Sequence, residues 1–192
     1  MNFLIFFVVA IIIFIIFIYF DNRNREVSYV VSNFDNRKYL VHNGNDKHDA
    51  ANLLAKCRGN LVKVCDFLKN KFPNDDRVKR LVTKFNPDSI VETAPNSKHT
   101  SYSINKGEKI VLCLRSRDGQ NRLVELNVLM FVSLHELAHI MTKSIGHTKE
   151  FWDNFEFLLK QAVKAGIYKH VDFNRNPAEY CGVTITDTPL SK

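Results

Sequence analysis

Residues 133–152 read SLHELAHIMTKSIGHTKEFW, and the rest of the chain is organised around them. His135, Glu136 and His139 form the pattern H-E-x-x-H, and a third histidine, His147, follows after seven intervening residues. On a helix, residues four apart share a face, so His135 and His139 can aim two imidazoles at one ion. Zinc takes histidine nitrogens at about 2.0–2.1 Å in a tetrahedral set of ligands. Glu136 is rotated by about 100° from His135 around the helix axis. That keeps it off the metal and places it where it can act as general base on a zinc-activated water.

The flanking sequence supports a helix–turn–helix around this pattern. Leu123, Leu126, Met130, Leu134, Leu137 and Met141 recur at helical spacings. The turn-like SRDG at 116–119 precedes them. Gly146 suits a helix end, where glycine adopts the left-handed conformation without strain. The chain can reverse there and swing His147 back toward the metal. Thr148 is the expected N-cap of the next helix. That helix puts Phe151, Trp152, Phe155, Leu158, Leu159, Ala162 and Val163 on one face, with Lys149, Asp153, Glu156, Lys160 and Lys164 mostly on the other. Gly166 ends it.

HELAH, a short spacer and then GHTKEFW resemble the signature of the small zinc peptidases of the Wss1-like (WLM), SprT and YgjP-like group. The resemblance is strongest over Leu123 to Gly166. It implies that His135, His139 and His147 ligate Zn2+ and that Glu136 is the catalytic base. It also implies a zincin-like α+β fold, in which an active-site helix and a supporting helix pack on a small mixed sheet. In such enzymes a strand borders the cleft, and an extended protein or peptide substrate adds to its edge by main-chain hydrogen bonds. Relatives in this group act on proteins attached to DNA. No separate DNA-binding tail is visible here, so that substrate is not carried over.

The 192 residues suit one domain with appendages. Hydrophobic residues make up 45%, enough for a core and against a disordered chain. A formal charge of +7 is compatible with nucleic acid, an anionic membrane surface or acidic partners. Richness in Ile, Asn, Lys and Phe suggests an AT-rich genome such as that of a large DNA virus. The four cysteines, Cys57, Cys65, Cys113 and Cys181, form no C-x-x-C pair, which argues against a second zinc knuckle. Cys57 and Cys65, about 12 Å apart along a helix, are too far apart to bridge. Reduced thiols in a reducing compartment are expected, in keeping with the lack of any N-x-[ST] site.

Phe3 to Phe20 is an uncharged apolar run of 18 residues. At 1.5 Å per residue it rises roughly 27 Å, about the depth of a bilayer core. No basic n-region or A-x-A site marks a cleaved signal peptide. An uncleaved transmembrane anchor over residues 1–20 is therefore expected. Arg23, Arg25, Arg37 and Lys38 follow it, so the positive-inside rule places the domain on the cytoplasmic side.

Residues 21–45 read as a linker with short strands at Val27–Val31 and Lys38–Val41. The metallopeptidase domain is expected over 46–187, with a frayed tail at 188–192. Asp46–Lys71 carries an apolar stripe, Ala50, Leu54, Cys57, Leu61, Val64 and Leu68, and Asp75–Phe85 is a shorter basic helix. Pro87–Pro95 reads as irregular. Thr100–Ile104 and Lys109–Arg115 flank the turn NKGE and read as a hairpin leading to the metal helix. IYKHVDF reads as a weak strand and EYCGVTITD as a better one. His170 and Tyr180, on these last segments, are candidates to support the ligands or the transition state. Two rivals stand beside a membrane-anchored peptidase. One is an inactive anchored interaction protein that keeps zinc as a staple, and the other is a nucleic-acid-associated protease drawn by the basic surface.

Overall fold

The computed structural model describes the backbone of residues 2–24 and 26–191 and the side chains of 5–19 and 26–190. A helix, α1, spans Asn2–Asn24, and a hairpin, β1 (Val27–Val31) and β2 (Lys38–His42), follows. Two helices, α2 (Lys47–Lys71) and α3 (Asp76–Lys84), come next. Strand β3 (Ile90–Glu92) precedes a hairpin of β4 (Tyr102–Ile104) and β5 (Lys109–Leu112). Helices α4 (Leu126–Met141) and α5 (Lys149–Lys164) follow. A last hairpin, β6 (Ala178–Tyr180) and β7 (Val183–Ile185), and a 3-10 turn at Pro189–Ser191 close the chain.

Helix α4 is the centre of the packing. Ten of its residues are buried, including Leu129, Leu134, Leu137 and Met141, so it is apolar nearly all round, as suits a helix enclosed by neighbours. Helices α2, α3 and α5 and strands β4 and β5 surround it. The stripe of α2 is buried as its spacing requires: Ala50, Leu54, Cys57, Leu61, Val64 and Leu68 are all inaccessible. Asp75 caps α3 by accepting from the Arg77 N–H at 2.9 Å. The first hairpin joins the same core through Val30, Tyr39 and Val41.

The central sheet is mixed, in the order β3-β5-β4. β5 pairs antiparallel with β4, Tyr102 opposite Val111, and parallel with β3, Ile90 opposite Ile110. β4 is thus an edge strand, and it is the edge nearest α4. Gly107, in the β4–β5 turn, is required there: its φ is +114°, and a Cβ would stand 2.6 Å from the Lys84 carbonyl oxygen.

Several expectations are corrected. Among the described residues no helix is long and apolar enough to cross a membrane. The described side chains of α1, from Ile5 to Tyr19, are exposed. The single-pass anchor and the cytoplasmic placement drawn from it are therefore dropped. Arg25 and the side chains of Phe3, Leu4, Phe20 and Arg23, which entered that reading, lie outside the described residues.

Cys113 and Cys181 are not reduced thiols: folding brings their Cα atoms to 6.3 Å and a disulfide joins them. Cys57 and Cys65 are free and buried. The segment between Pro87 and Pro95 holds strand β3. IYKHVDF forms no strand, and its Tyr168 and Phe173 enter the core instead. EYCGVTITD is a tight hairpin, reversed at Cys181 and Gly182, both with positive φ. Thr188 is buried and Leu190 packs on the core, so the tail up to that point is not frayed.

Candidate metal centre

His135 and His139 lie one turn apart near the end of α4. The helix stops at Thr142, whose N–H donates to the Ala138 carbonyl. The backbone then takes a left-handed φ of +82° at Gly146, and His147 returns over α4. Thr148 caps α5, accepting from the Phe151 N–H at 3.4 Å. The two helices therefore meet at the reversal the sequence implied.

The three imidazoles form a near-equilateral group with ring centroids 4.9 Å apart in every pair. One ligand atom from each lies within 4.8 Å of the others, and the Nε2 atoms of His135 and His147 are 3.1 Å apart. Bonds of about 2.0–2.1 Å at tetrahedral angles put ligand nitrogens roughly 3.3–3.4 Å apart. The donor set fits zinc in number, chemistry and spacing. Phe151 is the floor of the group: it is fully buried, with its centroid 4.8, 4.4 and 4.7 Å from the rings of His135, His139 and His147.

Burial, reinforced by the neighbouring imidazoles, pushes His135 down to about 3. Burial likewise lowers His139 to about 4, with His147 and Lys106 adding to the effect. Both are neutral at physiological pH, the state in which a ring nitrogen has a lone pair for a metal.

Glu136, 4% exposed, lines the same cleft as this group and meets β4 at Ser103. Burial raises its carboxyl to about 7, and hydrogen bonds from the Ser103 hydroxyl and backbone N–H hold back part of that rise. The histidines, Glu136, Ser101, Tyr102, Ser103, Asn105, Lys106, Ile145 and Gly146 line one open cleft of about 440 Å³. Ile145 stands 89% exposed on its lip.

The loop from α4 to α5 is fixed by two charged groups, Glu150, which the sequence offers with Glu156 as an alternative ligand to His147, and Lys106, which it does not single out. Glu150 accepts from the N–H groups of Lys143 and Ser144 at 3.0 and 3.1 Å and from the Ser144 hydroxyl at 2.8 Å. Those bonds hold its carboxyl at about 2 and commit it to the loop rather than to a metal. Lys106 reaches across from the β4–β5 turn and donates to the Thr142 and Ser144 carbonyls at 3.0 and 2.6 Å. A lysine at a helix C-terminus also complements the helix dipole. Glu156 pairs with Lys160 on the outer face of α5. His170 is exposed and lies outside the cleft. Tyr180 is buried behind β4 and does not line the cleft either.

Residues 75–186 match the sequence model of the WLM domain family. The chain is 36% identical over 183 residues to uncharacterized protein R325 of Acanthamoeba polyphaga mimivirus, a match covering 93% of this chain and 92% of that protein. It is 39% identical over 69 residues to uncharacterized protein 136R of Invertebrate iridescent virus 6, covering 35% of this chain and 38% of that one. Both relatives belong to viruses, which fits the source suggested by composition. Among solved structures, the crystal structure of Wss1 from Saccharomyces cerevisiae superposes with a TM-score of 0.48 at 24% identity, covering 64% of this chain and 83% of that chain.

Proposed function

Since the chain belongs to the WLM domain family, a family of zinc-dependent proteases, we propose that it hydrolyses peptide bonds with His135, His139 and His147 holding zinc and Glu136 as general base. The observation that carries this is the placement of a buried carboxyl, hydrogen-bonded to Ser103, in the same open cleft as three converging imidazoles. A zinc ion held by the three histidines would supply Lewis acidity, able to polarise a carbonyl oxygen and lower the pKa of water to about 7.

The chain's own residues do the rest. The neutral imidazoles present lone pairs and are kept in register by Phe151. Glu136, with a carboxyl near 7, takes the proton of the attacking water and passes it to the departing amine nitrogen. Ser103 fixes the direction in which Glu136 points. The outer edge of β4 is unpaired, so an extended substrate can add there as a further strand and lie across Glu136.

Glu136→Gln keeps the shape of the side chain and removes the base. The variant should bind one zinc and melt near the wild-type temperature, yet lose activity on a peptide library by about 10²–10⁴-fold. If wild type holds one zinc and cleaves no peptide above the level of this variant, the zinc is a staple and the peptidase reading fails.

A further inference from the structure

The last hairpin stands apart from the central sheet: β6 and β7 pair only with each other. Two links fasten it to the body beside the cleft. One is the disulfide from Cys181 to Cys113, the residue that follows β5. The other is Tyr180, 3% exposed, whose hydroxyl serves no solvent-facing purpose. Its oxygen lies 2.8 Å from the Cys113 carbonyl and 2.6 Å from Ser101 Oγ, and Ser101 Oγ accepts from the Cys113 N–H at 3.0 Å.

These three contacts have one consistent assignment of protons. The Cys113 carbonyl can only accept, so the Tyr180 O–H donates to it. The Tyr180 oxygen then accepts from the Ser101 O–H, and Ser101 in turn accepts from the Cys113 N–H. The ring is closed, and at its Tyr180 end it is buried, where an unmade bond is expensive.

Ser101 is the residue at which the chain enters β4. The segment before it, residues 93–100, contains no helix or strand, and β4 itself has only three paired residues. Ser101 and Ser103 are two apart in an extended strand, so their side chains share a face, and both line the cleft. Ser103 is the hydrogen-bond partner of Glu136.

We infer that Tyr180 is a positioning residue for the cleft: through its hydrogen-bonded ring with Ser101 and Cys113, held in place by the Cys113–Cys181 disulfide, it fixes the edge strand β4 against Glu136. Its effect on activity rests on the peptidase reading, and its effect on β4 does not. Tyr180 touches no reacting atom. It sets where the strand that receives the substrate begins.

Tyr180→Phe keeps the buried ring and deletes only the hydroxyl. The full-length variant should hold one zinc and keep wild-type amide exchange in β1 and β2. Exchange over residues 101–104 should accelerate at least about tenfold. On peptides that wild type cleaves, kcat/KM should fall by on the order of 10–100-fold, the size expected when a supporting element lets a site shift by part of an ångström. Ser101→Ala opens the same ring, so the double variant should be no worse than either single one. Unchanged exchange over 101–104 in Tyr180→Phe overturns the inference, as does exchange that rises equally throughout the fold. Local loosening with unaltered kcat/KM also overturns it. If wild type itself cleaves nothing, the peptidase reading falls, and the exchange measurement still decides the role of Tyr180.

Discussion

Phe151 measures how far the metal centre is built by packing rather than by the ligands themselves. Its ring is fully buried and touches all three histidine rings at centroid distances of 4.4–4.8 Å. Phe151→Ala deletes that floor. Truncating a buried phenylalanine costs about 3–5 kcal/mol. For a chain of this size each kcal/mol lowers the melting temperature by about 2–4 °C, so a fall of roughly 6–20 °C is expected. Phe173→Ala is the matched control: Phe173 is 1% exposed, and its ring packs on Phe131 at 4.8 Å. The two truncations should cost similar stability in the zinc-free protein. Only Phe151→Ala frees the imidazoles to leave their common orientation, and zinc affinity should drop by about 10–100-fold, the usual cost of losing a group that orients ligands. Competition titration against a chelating dye reads affinity, and thermal melts of the zinc-free proteins read stability. Equal zinc affinity in the two variants would refute the claim that Phe151 organises the ligands.

Other consequences follow from the same geometry. His147→Ala should weaken zinc binding by at least about 10–100-fold, since Glu150 is tied to the loop and cannot replace it; undiminished affinity in a dye competition would exclude His147 as a ligand. In zinc-free protein His135 and His139 titrate at about 3 and 4 instead of 6.5, so between those values the unfolded chain binds more protons than the folded one. Stability is complete above pH 6.5 and is lost as pH falls through that window; His135→Asn should flatten the dependence of melting temperature on pH, and an unaltered slope would count against it. Gly107→Ala should destabilise by about 1–3 kcal/mol, because the left-handed φ is strained for alanine and the new Cβ meets the Lys84 carbonyl; a denaturant midpoint within error of wild type would contradict the close approach.

What was legible in the sequence was what depends on neighbours along the chain. The stripes of α2 and α4, the Thr148 cap and the chain reversal at Gly146 are local patterns with local causes, and they appear as read, apart from Leu123 and from the end of α4, which falls at Thr142, four residues before Gly146. Leu123 lies ahead of α4 in a bridge with Arg115. What was not legible depends on distant partners. β3 has three residues between two prolines, and only its parallel pairing with β5 makes it a strand. Cys113 and Cys181 are 68 residues apart, and no spacing rule connects them. The run EYCGVTITD alternates like a strand, yet Cys181 and Gly182 take φ values of 51° and 81° and fold it in two.

The seven residues between His139 and His147 show why the site itself needed the structure. In the sequence they look like slack that could let His147 drift from the other two ligands. In the fold that slack is taken up from both sides. Glu150 collects the N–H groups of Lys143 and Ser144, while Lys106 collects the carbonyls of Thr142 and Ser144. Donors and acceptors of the same short backbone stretch are satisfied by opposite charges from two different elements, one at the start of α5 and one in the β4–β5 turn. Neither residue carries a motif. Each acts only because α4 ends beside both of them, and together they turn a long spacer into a fixed arm that brings His147 to within 3.1 Å of His135.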